Sequence, residues 1–376
     1  MSTDAAIAAT AMRAATGTLA ALGAELRTLR PTGQRARLAA LPALVVVLAT
    51  VLACALDLPD PWWAGISGFI TTQTTRQGAV QKGARRLIGT MAGAALALPG
   101  VGWFVYDPVL CSLGLFVVAA VGMLGVVVSP HGYAWQIAAI TFSIVVLTAL
   151  DDPTRAFATA VFRSAEVALG VGTAVLAARA LAPAGRAAPP PPPPGWHDLF
   201  GRQWPAVLHG VRSGIAVAVL PVIWGWFDLP ALTAIAMTVV SILAAPVLAT
   251  HPLDDAGRII DKSVKRLIGC GLGGGIAVAL LALPLDSLPL WLAALFAGLW
   301  LFGWLESSTR GIGYAGIQAA LAFIIVLVQG EGPPVSLIPA LNRLAGIVLG
   351  LLILLGVSFV VRPAEEAPAA APADAA

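Results

Sequence analysis

Lys82 to Gly89 reads K-G-A-R-R-L-I-G, and Lys262 to Gly269 reads K-S-V-K-R-L-I-G. The two octapeptides stand 180 residues apart, and each leads into a glycine-rich apolar run. At the same offset Arg163 meets Arg343 and Gly170 meets Gly350, while Gly132-Tyr133-Ala134 meets Gly313-Tyr314-Ala315 one residue further on. Chance is a poor source of so many coincidences, so the chain is read as an internal duplication. A basic head followed by an uncharged run is the pattern of a helix entering a bilayer from its cytoplasmic side. Gly89 and Gly93 in one copy, and Gly269 and Gly273 in the other, have the small-xxx-small spacing that lets helix backbones touch.

Working outward, 59% of the 376 residues are hydrophobic, 11% are charged, and the mean hydropathy is +0.89, so the solvent for most of the chain is lipid. Apolar runs of about 18 residues or more are long enough to cross hydrocarbon as helices. The alternating pattern of a membrane barrel is absent, and backbone groups cannot stay unpaired in lipid, which leaves helices as the spanning structure. The fold class is therefore an all-α membrane protein with about twelve transmembrane helices arranged as two parallel six-helix repeats. Spans are predicted at 38–56, 58–75, 87–105, 108–128, 133–150 and 156–180, then at 205–226, 230–249, 267–284, 288–305, 312–329 and 335–361. Residues 1–37, with Arg13, Arg27, Arg30, Arg35 and Arg37, read as a basic amphipathic helix on the membrane surface. The first half is 38–180 and the second 205–362. Between them 181–204 is a cytoplasmic linker carrying six consecutive prolines, Pro189 to Pro194, and 363–376 is a polar tail expected to be disordered.

Charge placement sets the orientation. Arg76, Lys82, Arg85 and Arg86, then Arg179, Arg186 and Arg202, then Arg258, Lys262, Lys265 and Arg266, and finally Arg310 and Arg362 fall on one side with the N-terminal arginines. The opposite loops hold Asp57, Asp60, Asp107, Asp151, Asp152, Asp228, Asp286 and Glu331, with Arg155 as their loop cation. The positive-inside rule then puts both termini and the linker in the cytoplasm.

The run from Trp62-Trp63-Ala64 through Thr71-Thr72-Gln73-Thr74-Thr75-Arg76, followed by Lys82, Arg86-Leu87-Ile88-Gly89-Thr90 and Gly93, resembles the opening signature of the fusaric acid resistance (FUSC) family, related to the aromatic acid exporters. Tyr133-Ala134 with Thr141, then Pro153, Phe157 and Arg163-x-x-Glu166-x-x-x-Gly170, resembles its later part. Thr74 stands where that pattern carries proline, and the family's large cytoplasmic domains are missing, so the resemblance is to a short form. It implies a bacterial inner-membrane exporter of small aromatic or lipophilic carboxylic acids, in many members working with a periplasmic adaptor protein and an outer-membrane channel, and it leaves room for a homo-oligomer.

Ionisable residues inside spans are costly and need a reason. Arg163 and Glu166, at i and i+3, share one face of the sixth span. They form either a mutually neutralising ion pair that orients the helix, or a site in which Arg163 attracts the substrate carboxylate while Glu166 carries the coupling proton. Arg343 is the repeat mate of Arg163, but Gly346 replaces the glutamate; Arg343 serves the same anion site or snorkels outward, with Asn342 beside it for a hydrogen bond across helices. Gln73 and Thr75 belong to a polar run at the inner end of a span, as a cytoplasmic entrance or as side chains bonding their own helix backbone. Gln136, Thr141 and Gln318 are weaker lining candidates. Trp62, Trp63 and other tryptophans near span ends read as an interfacial belt. Lys82, Arg86, Lys262 and Arg266 read as motif and packing positions.

Cys54, Cys111 and Cys270 lie inside apolar runs without metal-ligand neighbours, so no metal or cofactor is expected. No nucleophile, base and orienting group cluster together, which argues against an enzyme. Neither is a nucleic acid partner expected; the partners are lipid and small organic anions. Export by a proton-coupled carrier, a passive anion channel with Arg163 and Arg343 as its ring, and a non-transporting structural component are the functions left open.

Overall fold

The structure, a computed structural model, describes residues 3–185, 204–227, 232–243 and 252–360 except 284, 286, 331 and 335. The predicted tail at 363–376 and most of the linker lie outside the described residues. An N-terminal helix α1 (Thr3–Arg27) precedes the first half, which contains α2 (Gln34–Ala55), α3 (Pro61–Thr71), α4 (Arg76–Phe104), α5 (Pro108–Val128), α6 (Gly132–Asp151) and α7 (Arg155–Leu181). The second contains α8 (Trp204–Ala218), α9 (Leu220–Phe227), α10 (Leu232–Leu243), α11 (Pro252–Leu281), α12 (Leu288–Glu306), α13 (Gly313–Leu327) and α14 (Ile338–Val360). No strand occurs among the described residues.

Local chemistry explains several helix starts. Pro108 occupies the first turn of α5, where its missing N–H costs nothing, and Asp107 caps the helix by accepting from Val109 N–H at 2.9 Å and Leu110 N–H at 3.0 Å. Thr75 caps α4, accepting from Gly78 N–H at 3.2 Å, and so begins that helix eleven residues before the predicted span at 87. The basic cluster from Arg76 to Arg86 is thus the first three turns of a helix rather than a loop.

Among the described residues eight helical stretches are long and apolar enough to cross a membrane: α2, α4, α5, α6, α7, the α8–α9 stretch Val207–Phe227, Ile260–Leu281 within α11, and α12. The predicted second span is much shorter than expected, since α3 has 11 residues and rises about 16 Å. Ten of those residues are buried, because α3 is wedged between α2 and α7 and is shielded from lipid by protein. The N-terminal segment also departs from expectation. One face of α1, with Thr18, Leu22 and Glu25, is buried against the protein, chiefly α11, while Met12, Leu19 and Leu26 remain exposed.

Packing is tightest where side chains are smallest. Within the first half α4 lies along α6, and a Cβ on Gly89 or Gly93 would overlap the carbonyl oxygens of Ala134 and Ala138. Within the second half α11 lies along α13, and Gly269 and Gly273 meet the carbonyls of Ala315 and Ala319 in the same way. The halves also exchange contacts: α2 packs on α12, α5 on α8, α6 on α10, and α3 on α13. Arg35 reinforces the first of these contacts, donating from Nη2 to the Trp304 carbonyl at 2.7 Å and stacking 4.2 Å from the Trp304 ring centroid.

Candidate functional site

The buried seam of α7 runs Ala156, Ala160, Arg163, Val167, Gly170, Ala174 and Ala178. This stripe of small apolar residues faces α3 and α4, with one guanidinium set into it. At Gly170 the helix touches the α3 backbone, where a Cβ would overlap the Ala64 carbonyl. That close approach brings Arg163 and Glu166 beside the start of α3. Arg163 is 3% and Glu166 1% exposed, so neither side chain is solvated from outside.

The guanidinium of Arg163 lies over the Trp63 ring, its Cζ 3.6 Å from the centroid, and Nε donates to Thr141 Oγ1 at 3.3 Å. Its Nη1 is buried and has no hydrogen-bond partner. Glu166 instead accepts from the backbone N–H of Asp60 at 2.8 Å, and Asp60 Oδ1 accepts from Trp62 Nε1 at 2.8 Å. Among the described residues Arg163 and Glu166 form no ion pair within 4 Å, and they act on each other as opposite charges across a longer gap. The site therefore combines a cation on an aromatic platform, an unused buried donor, and a carboxylate one turn away held by a loop amide.

A second guanidinium lies close by. Arg86 on α4 donates from Nε to Ser67 Oγ at 3.0 Å and from Nη1 to Tyr133 Oη at 2.8 Å. Lys82, one turn earlier, has its Nζ 6.0 Å from the Tyr133 ring centroid and interacts electrostatically with Glu306 at the end of α12.

Comparison with known families finds a match over part of the chain. Residues 7–190 match the fusaric acid resistance protein family, FUSC. The matched region runs from α1 past α7 and contains the whole Arg163 site; the protein is a membrane protein, and the resemblance read from its sequence holds over this half. Searches of curated proteins and of solved structures gave no match.

Within the FUSC-matched half, Trp62 and Trp63 lie buried beside Arg163 rather than in an exposed interfacial belt. Both are buried, their rings stacked with centroids 3.9 Å apart, because α3 starts inside the protein. Gln73 and Thr75 lie in the turn between α3 and α4: Gln73 Nε2 donates to the Thr72 carbonyl at 2.6 Å, and Thr75 is the α4 cap. Gln136 is half-buried on α6, and Thr90 is fully buried on α4 with an unpartnered hydroxyl. Asp60, Ser67 and Glu306 were not singled out from sequence. An Asp-Pro pair at a helix start was the available signal for Asp60, whereas the other two are visible only through tertiary contacts.

The second half repeats part of the arrangement. Arg266 Nη2 donates to Thr238 Oγ1 at 3.3 Å, and Lys262 Nζ lies 5.3 Å from the Tyr314 ring centroid. Gln318 is buried beside Cys270, with Sγ 4.0 Å from its Oε1. Gly350 on α14 packs against Ile235 and Thr238 of α10 as Gly170 packs against α3. Asn342 is half-buried on α14, and the Arg343 side chain lies outside the described residues.

Proposed function

We propose that this protein is an inner-membrane secondary transporter that exports small aromatic or lipophilic carboxylic acids in exchange for protons. The observation carrying this reading is the buried Arg163 guanidinium, stacked on Trp63 with an unpartnered Nη1 and, among the described residues, no carboxylate within 4 Å. An arginine fork recognises a carboxylate through paired hydrogen bonds, and an aromatic ring beside it favours a flat apolar body. Glu166 is the proton carrier: its neutral form leaves Arg163 free for the substrate anion, and its ionised form competes for the cation. In this reading about twelve helices cross as two parallel six-helix repeats, with both termini and the linker cytoplasmic by the positive-inside rule. The exchanged contacts α2 with α12 and α5 with α8 support such a two-fold arrangement. The family kinship supports export through a periplasmic adaptor and an outer-membrane channel.

The test is transport into vesicles with an imposed pH gradient. Glu166→Gln keeps the acceptor for the Asp60 amide but cannot titrate, so uphill export is lost while binding of benzoate persists. Arg163→Ala weakens benzoate binding about ten- to hundredfold, the loss of a charged hydrogen-bonded pair. Undiminished gradient-driven export by Glu166→Gln rejects the carrier role, and wild-type flux that ignores the gradient assigns a channel instead.

A further inference from the structure

The repeat provides an internal comparison that separates scaffold from content. Gly89 and Gly93 on α4, and Gly269 and Gly273 on α11, press on alanine carbonyls of the neighbouring helix, so the backbones around Arg86 and Arg266 are built alike. The two guanidiniums are nonetheless satisfied differently. Arg86 makes bonds of 3.0 and 2.8 Å to Ser67 and Tyr133. Arg266, 6% exposed, makes a long bond to Thr238 at 3.3 Å and interacts with the Tyr314 hydroxyl, but its Nε has no partner. The hydroxyl of Ser263, three residues earlier on the same helix, is buried and also has no partner. The Lys262 ammonium stands one helical turn away, above the Tyr314 ring, and donates to the Ser241 carbonyl at 3.1 Å.

Among the described residues no carboxylate pairs with Arg266 within 4 Å. A buried guanidinium without a counter-charge is costly, and buried donors left unused in native proteins call for a partner. The unused Nε belongs to a buried cation, so the partner that would complete it is an anion. We infer that the second half holds its own anion site, centred on Arg266 with Lys262, Tyr314 and Ser263, that takes the carboxylate of a small organic acid. The planar fork of Arg266 presents Nε and Nη2 along one edge, which matches the two oxygens of a carboxylate. Unlike the Arg163 site, this one has no described carboxylate one turn away, so its occupancy does not depend on releasing an internal competitor. It stands on different residues from the proposed export site, and either can fail without the other.

Isothermal titration of the purified full-length protein with sodium benzoate tests the inference. In an Arg163→Ala background, where the first-half cation is gone, benzoate still binds. Adding Arg266→Gln weakens that residual binding about tenfold or more, the scale of a lost charged hydrogen bond. Arg266→Lys keeps the buried charge, and with it the fold, yet loses the paired donors, so it too weakens binding even if the glutamine variant does not fold. Loss of all binding in Arg163→Ala alone, or residual binding unchanged by Arg266→Lys, overturns the site. Displacement of benzoate by chloride at equal concentration also overturns the carboxylate assignment.

Discussion

Glu25 shows how one side chain can hold a peripheral helix to the body of the protein. It is 3% exposed, pairs with Arg35 and with Arg310 at 3.2 Å, and accepts from Ser308 Oγ at 2.8 Å. Burial pushes its carboxyl up, but the Ser308 bond and the charges of Arg35 and Arg310 outweigh that and hold it below its ordinary value of 4.5. A carboxyl whose folded value is depressed contributes its stability fully above the unfolded value, and that stability fades as pH falls through the folded one. Docking of α1 is therefore insensitive to pH near neutrality and loosens only below about pH 4.5. Hydrogen exchange in α1 should accelerate in that acid window. Glu25→Gln should abolish the acid step and weaken docking at neutral pH by about 1.5–3 kcal/mol, since charged hydrogen bonds are lost while the half-exposed arginines can rehydrate. An acid step that survives in Glu25→Gln would assign it to another group.

At the scale of the element, glycines determine how close two helices come. Gly93 and Gly273 face backbone carbonyls that cannot swing aside, so Gly93→Ala and Gly273→Ala should each destabilise by about 1–3 kcal/mol, more than the roughly 1 kcal/mol alanine gains in helix propensity. Gly271 and Gly275 lie on the same helix as Gly273 with nothing within 4 Å of a built Cβ, and there alanine should be neutral or stabilising by up to about 1 kcal/mol. Thermal unfolding in detergent distinguishes the two pairs. Equal effects at all four positions would show that propensity, not helix contact, governs these glycines. The brevity of α3 is a second effect at this scale. A helix of 11 residues leaves Asp60 level with Glu166 on α7, and this puts a loop amide where the carboxylate needs a donor.

Across the whole molecule the two halves interlock instead of lying side by side. A Cβ on Gly303 of α12 would stand 3.0 Å from the Ala39 carbonyl of α2, and one on Gly210 of α8 would stand 3.0 Å from the Ala120 carbonyl of α5. The first helix of each half thus docks on the fourth helix of the other. After Cys54, Cys111 and Cys270 are replaced by alanine, the cysteine pairs Ala39→Cys/Gly303→Cys and Ala120→Cys/Gly210→Cys should each cross-link on oxidation. Cleavage at a protease site inserted in the linker should then leave the halves joined without reductant and separable with it. Cross-linking by only one pair would break the two-fold arrangement.

The sequence by itself determined the membrane as solvent, the helical class, the motif resemblance of the first half, the duplicated octapeptide and the placement of Arg163 and Glu166 inside an apolar helix. Each of these follows from composition, periodicity, spacing or short motifs, which act locally along the chain. Only the tertiary structure decided that Arg163 turns to Trp63 and Thr141 while Glu166 turns to the Asp60 amide, since spacing on one helix says which side chains can meet and not which neighbour offers the better partner. It also decided that α3 is a short buried helix, and that Arg266 keeps an unpartnered Nε where Arg86 does not, although both sit in matching octapeptides. The physical reason is the same in each case: a buried polar group is settled by what the other helices bring within about 3 Å of it, and those partners lie far away in sequence.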